Sequence, residues 1–229
     1  MPDPARWSFD TEFNRSGWHN RERQYYAANR PQNARVENGR LIIEAHREQL
    51  GDRSDWGGQK YSSARLVTRG RAAWTYGYFE VRAKLPCARG TWPAFWMLPA
   101  NRSPDFEHGE IDILEHVGHD SGRIHHSLHT GSRNHRRGNH RTSSVRLRSA
   151  CDAFHTYHLH WTENRIAMGV DGRVAFEEQR RSSPDWPFEH PFYLILNLAI
   201  GGNLGGARGI NEQALPARLE VDFVRVYGR

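Results

Sequence analysis

Between His108 and Gly118 the chain reads HGEIDILEHVG, and Glu110, Asp112 and Glu115 set three carboxylates in an otherwise apolar run. Side chains alternate across a strand, so Glu110 and Asp112 share a face while Glu115, an odd number of positions on, falls on the other. One extra residue near Ile113-Leu114, a β-bulge, returns Glu115 to the first face, and bulges of this kind are common beside active sites. Without it Glu115 points to solvent. Carboxylates gathered on one face raise one another's pKa and titrate as a group. Glycoside hydrolysis uses such a set, with one ionised carboxylate and one protonated carboxyl that serves as general acid. Five residues of strand span roughly 16 Å, and long glutamate side chains leaning inward narrow that gap. The arithmetic does not separate the ~5.5 Å carboxyl spacing of retaining enzymes from the ~6.5 Å or more of inverting ones. The same acids also suit a solvated strand face or a calcium cluster.

The elements that must position these acids read as strands. Asn38-Gly39 sits between Ala34–Val36 and Leu41–Ala45, and Asp171-Gly172 sits between Ile166–Val170 and Val174–Phe176. Both dipeptides are hairpin signals. Tyr78–Leu85 alternates Phe79, Val81, Ala83 and Leu85 against Tyr78, Glu80, Arg82 and Lys84, the pattern of a half-buried antiparallel strand. Leu219–Tyr227 is expected to alternate likewise, with Leu219, Val221, Phe223 and Arg225 opposite Glu220, Asp222, Val224 and Val226. No helical apolar stripe extends over a dozen residues. Short strands punctuated by Gly, Pro and Asn predict an all-β fold, an antiparallel β-sandwich or jelly roll, as one domain over residues 1–229.

Composition narrows the function classes. The 229 residues carry a formal net charge of +6, yet of 32 basic residues only Lys60 and Lys84 are lysines. The arginines are spread along the chain apart from the local run Arg133–Arg141, and a nucleic-acid surface concentrates its charge. No window holds ~18 uninterrupted apolar residues, so no membrane-spanning helix is expected. The first twenty residues lack the apolar core of a secretory signal. Fourteen histidines occur without an HExxH motif, which gives no grounds for zinc. Neither a GxSxG elbow nor a P-loop is present. Cys87 and Cys151 can pair or stay free.

HGEIDILEHVG resembles the catalytic strand of glycoside hydrolase family 16 in its bulged form, Glu-x-Asp-x-x-Glu. Further motifs agree in order: VENGRLIIEA (Val36–Ala45), YSSARLVT (Tyr61–Thr68), GTWPAFWMLP (Gly90–Pro99), WPFEHPFYLILNLAIGGN (Trp186–Asn203) and VDFVRVY (Val221–Tyr227). Within that family the pattern is similar to bacterial laminarinases. The resemblance implies a jelly roll with a concave cleft and an endo-acting, retaining hydrolysis of β-1,3-glucosidic bonds in laminarin-like glucans, with mixed-linkage β-1,3-1,4-glucans as a further substrate. Glu110 would be the nucleophile and Glu115 the acid/base. Asp112 would lie between them, hydrogen-bonded to Glu110. No cofactor is implied for catalysis.

Aromatic residues point the same way independently. In an extended TWPAFWML, Trp92, Ala94, Trp96 and Leu98 share a face, and indole faces stack on the apolar faces of sugars. The resemblance adds Arg65 and Asn29 as glucan contacts and His129 beside the acid/base. It also implies a structural Ca²⁺ held by Glu12, the Gly39 carbonyl and Asp222. Leu204 stands where many relatives carry a tryptophan, which removes a remote sugar platform. The expected partner is a β-glucan chain, with no nucleic acid and no membrane, and the expected state is a monomer. Because such polymers lie outside cells, the expected location is extracellular or periplasmic. Two other functions compete: a non-catalytic β-glucan-recognition module on the same fold, and a polyanion binder built around Arg133–Arg141. Retention of both Glu110 and Glu115 favours the enzyme.

Overall fold

Both dipeptide turns form as their sequence requires. Asn38 and Gly39 have φ of 51° and 77°, and Asp171 and Gly172 have 50° and 75°. Two successive positive values make the mirror-image turn whose twist matches flanking strands, here Ala34–Glu37 with Arg40–Arg47 and Arg165–Val170 with Arg173–Gln179. The computed structural model describes residues 1–101, 105–182 and 185–228.

The strands build two facing sheets. One has seven strands in the order Ser8–Phe9, Arg65–Val67, Phe192–Ile200, Thr91–Pro99, Glu110–His116, Arg123–His129, Arg141–Arg146. The other has nine and includes Gly77–Lys84, His155–Thr162 and Ala217–Tyr227. Among the described residues every strand pairing is antiparallel except that of Gln24–Tyr26 with Tyr61–Ser63. Between the sheets one large cluster takes Phe79, Val81 and Ala83 from one side and Phe95, Met97, Ile111 and Ile113 from the other. Each large side chain buried there contributes roughly 1.5–3 kcal/mol, and together they hold the seven-stranded sheet as a stiff platform. This is the all-β sandwich that the strand pattern predicts.

Ala217–Tyr227 departs from simple alternation. Its register against Gly77–Lys84 slips between Val221 and Phe223, so Asp222 is an extra residue. The slip turns Val224 and Val226 onto the core and sends Phe223 and Arg225 outward, where the Arg225 guanidinium lies 3.9 Å from the Phe223 ring centre. Burial of two valines is the reason the bulge is favoured over continued alternation.

Cys87 and Cys151 are joined in a disulfide, with Cα atoms 5.8 Å apart and a sequence separation of 64. The bond ties the chain entering the strand Thr91–Pro99 to the turn before His155–Thr162, and the Ser121 hydroxyl lies 3.1 Å and 3.0 Å from its two sulfurs. Replacing both cysteines with serine is expected to cost about 2–4 kcal/mol, because a long loop regains its freedom in the unfolded chain. A circular-dichroism melt of the double variant checks this.

Candidate active site

The strand Glu110–His116 carries the bulge where the acids need it. Against Thr91–Pro99, Glu115 pairs with Ala94 and Leu114 with Phe95, but Trp96 then pairs with Asp112, leaving Ile113 as the extra residue. The opposite neighbour agrees: His125 pairs with Glu115 and Ser127 with Asp112, so His126 alone faces two residues. Ile113 and Leu114 therefore both enter the core, at 0% and 1% exposure, and Glu115 returns to the face of Glu110 and Asp112. A polar group serves the kink itself. His126 is buried, and its Nδ1 lies 2.7 Å from the Ile113 carbonyl oxygen.

The outer face of the seven-stranded sheet is a cleft that brings together Glu110, Asp112, Glu115, Trp92, Trp96 and Arg65. Trp92 donates Nε1–H to Glu115 Oε1 at 3.1 Å. Trp96 donates Nε1–H to Asn197 Oδ1 at 2.8 Å. The Arg65 guanidinium lies 4.9 Å from the Trp96 ring centre and 5.0 Å from that of Trp18, and its Nε–H reaches Asp10 at 3.0 Å. Both indoles are thus held at their N–H edges in the wall of the cleft, with the Arg65 guanidinium packed over the Trp96 ring.

Burial pushes all three acids up, to about 8. For Glu110 burial is the first cause and the charge of Asp112 the second; for Glu115 the order is the same, with the Trp92 N–H working against it. A buried group of this kind holds fewer than three negative charges near neutral pH, so the cleft keeps a protonated carboxyl there that can serve as general acid. His129 tempers the repulsion. Its Nε2 lies 3.1 Å from Asp112 Oδ2 and 3.7 Å from Glu110 Oε1. Its Nδ1 accepts the His135 backbone N–H at 3.2 Å, so in the neutral ring Nε2 carries the proton. The ring is stacked between Phe106 and His140, with centroids 5.2 Å and 4.9 Å away. Glu110, Asp112 and His129 have ligand-type atoms within 4.8 Å of one another. With Nε2 protonated, however, His129 faces the acids as a donor rather than as a metal ligand.

The comparisons with known proteins agree with this geometry. Residues 21–224 match the model of glycosyl hydrolases family 16. The chain belongs to that family. It is 46% identical over 240 residues to a beta-glucanase of Rhodothermus marinus, covering 99% of this chain and 80% of that protein. It superposes with a TM-score of 0.96 and 48% identity on SCLam, a non-specific endo-beta-1,3(4)-glucanase of family 16, covering 100% of this chain and 86% of that one. A variant of SCLam with 1,3-beta-D-cellobiosyl-glucose at its active site gives a TM-score of 0.97 at 46% identity, covering 100% and 90%.

Other positions expected of a family 16 site fall differently. Asn29 is exposed in a loop, with φ of 52°, and does not line the cleft; the asparagine that does is Asn20. His129 stands at the Glu110–Asp112 end of the acid row rather than beside Glu115. The calcium set is not assembled. Glu12 pairs with Arg69 at the cleft rim, Asp222 pairs with Arg82 on the nine-stranded sheet, and Gly39 is an exposed turn residue. Glu12 stands at the cleft and Asp222 in the opposite sheet, so the three positions are not brought to one point. The arginine run is not a free patch either, since Arg133 and Arg141 both turn to Glu178.

Asn20, Asn197, Glu22, His135 and His140 also line the cleft and were not expected there. Only Asn197 left a signal, as the single polar residue in the apolar strand Phe192–Ile200. Beyond Glu115 the cleft opens into a hollow of about 260 Å³ walled by Trp92, His129, His135, His140 and Leu204. Leu204→Trp is expected to restore a stacking face there. An aromatic contact adds about 0.5–1.5 kcal/mol, so KM for long laminarin chains should fall roughly 2–10-fold while trimers stay unaffected, as steady-state kinetics across chain lengths would read.

Proposed function

We propose that this family 16 hydrolase cuts β-1,3-glucosidic bonds within laminarin-like glucans, retaining anomeric configuration, and also accepts mixed-linkage β-1,3-1,4-glucans. The observation that carries the reading is the bulge at Ile113, which sets Glu110, Asp112 and Glu115 on one face between two anchored tryptophans. In the reaction Glu110 attacks the anomeric carbon as the carboxylate, and Glu115 gives its proton to the departing glycosidic oxygen. Trp92 holds Oε1 of Glu115, leaving the other oxygen for that proton. Glu115 then takes a proton from water as water releases the sugar from Glu110. The neutral form of Asp112 and the donor nitrogen of His129 limit the negative charge beside Glu110. A glucan-recognition module needs none of this, and two raised carboxyls in one cleft would only cost it stability.

The polymeric substrate supports action outside the cytoplasm, extracellular or periplasmic. The test is a panel of laminarin, lichenan, agarose and xyloglucan, with product linkage read by NMR. Rapid release of mid-length β-1,3 oligosaccharides in the β-anomer is expected. Inert laminarin, or α-anomer as first product, overturns the reading.

A further inference from the structure

Glu22 is a fourth carboxylate in the cleft, and the hydrolysis just described does not use it. It sits where the chain bridges to Gly201, with Arg65, Trp92 and Trp96 around it. One oxygen is committed. Oε2 accepts from Gln24 Nε2 at 2.9 Å and from the Tyr26 hydroxyl at 3.3 Å. Tyr26 in turn accepts from Asn197 Nδ2 at 3.0 Å, and Asn197 Oδ1 holds the Trp96 indole at 2.8 Å. An unbroken chain of hydrogen bonds therefore runs from Glu22 to the sugar-stacking ring. Oε1 has no hydrogen-bond partner among the described residues, and it is not among the buried unpaired atoms, so it is open to the cleft. Gly202 fixes the other side. A Cβ there would come within 3.1 Å of Trp92 Cζ3 and 3.3 Å of Glu22 Cγ, so the glutamate stem and the indole face each other across a glycine.

We propose that Glu22 is a specificity-determining residue, whose free Oε1 accepts a hydroxyl of the neutral sugar ring lying against Trp92 and Trp96. The inference rests on the glucan-hydrolase reading above. A charge at this place also acts on the general acid. Glu115 is faced by Asp112 and Glu110 on its own strand, by the Trp92 N–H and by His129, and Glu22 adds a further negative neighbour. Glu22 itself is faced by Arg65, Gln24 and Tyr26. Burial raises its carboxyl, and these three neighbours oppose the rise. Removing its charge weakens the hold of Glu115 on its proton, so the basic limb of activity moves to lower pH.

Glu22→Ala and Glu22→Gln, compared with wild type on laminari-oligosaccharides, test this. Losing a hydrogen bond to a charged acceptor costs about 1.5–3 kcal/mol, so Glu22→Ala should raise KM about tenfold or more with kcat nearly unchanged. Glu22→Gln keeps the Gln24 and Tyr26 bonds with its amide oxygen and turns an N–H donor toward the sugar hydroxyl that Oε1 accepted. KM should therefore rise but less than in Glu22→Ala, while the basic limb of kcat/KM should shift down by on the order of half a pH unit, as in Glu22→Ala. A purely structural role would lower kcat without moving that limb. Should the alanine variant fail to fold by near-ultraviolet circular dichroism, the glutamine variant decides alone. An unmoved limb in Glu22→Gln, or an unchanged KM in folded Glu22→Ala, overturns the proposal. Inactivity of wild type on laminarin would instead overturn the glucan-hydrolase reading.

Discussion

Glu110→Gln should lower kcat on laminarin by roughly 10⁴-fold and raise the melting temperature. The first effect follows from losing the nucleophile: no covalent intermediate can form, and what remains is binding and positioning. The second follows from the charge the site tolerates. Glu110 has a usual carboxyl value of 4.5 when unfolded and is pushed up to about 8 in the fold by burial and then by Asp112. A carboxyl raised on folding binds its proton more tightly in the native state, so native stability declines as pH climbs from 4.5 toward 8. The amide never ionises, so the variant should melt higher than wild type near pH 7 and by a smaller margin at pH 4. Azide should restore turnover to Glu110→Ala, with inverted product, because the small anion fills the vacated space and attacks from the same side. A near-normal kcat in Glu110→Gln, or azide rescue with retained configuration, would remove Glu110 from the nucleophile's role. Scanning calorimetry at the two pH values checks the stability half independently.

What the sequence revealed and what it withheld divide by range. The turns at Asn38-Gly39 and Asp171-Gly172 are decided by two adjacent residues, and they formed as read. The bulge at Ile113 was legible for a different reason: three acids and two apolar residues can be satisfied together only by one extra residue. Asp222 offered no such conflict. Alternation through Leu219–Tyr227 looked consistent either way, and only the core opposite Phe79 and Val81 chose Val224 and Val226. Contacts across long separations were invisible. Glu22, Tyr26, Asn197 and Trp96 form one hydrogen-bonded chain, yet Tyr26 and Asn197 stand 171 residues apart. Asn20 and Asn29 occur in the same polar stretch, and the path of the chain, not composition, puts the first in the cleft and the second in solvent. The calcium set was read from positions far apart in sequence, and only the fold shows Glu12 at the cleft and Asp222 in the opposite sheet.

His126 tests whether the bulge is held or merely tolerated. It lies on Arg123–His129 opposite the extra residue, at 0% exposure, and its Nδ1 reaches the carbonyl of the bulged residue. A carbonyl only accepts, so Nδ1 must carry the proton, and burial pushes the ring down to about 4, which keeps it neutral at working pH. His126→Leu removes the donor while filling most of the space. The Ile113 carbonyl then loses its imidazole partner in a buried place, a cost of about 1–3 kcal/mol. Sliding the strand into plain register would satisfy it, and that slip would turn Glu115 off the face of Glu110. The expected result is a kcat lowered by roughly 10²-fold, since a misplacement of about 1 Å is enough for that. KM should change little, because Trp92 and Trp96 stand on a neighbouring strand. His126→Asn places an amide N–H near the position of Nδ1 and should recover much of the loss. Wild-type kcat in a folded leucine variant would show that the core packing of Ile113 and Leu114 holds the bulge unaided. A loss that asparagine does not mend would point to the volume of the ring rather than its proton.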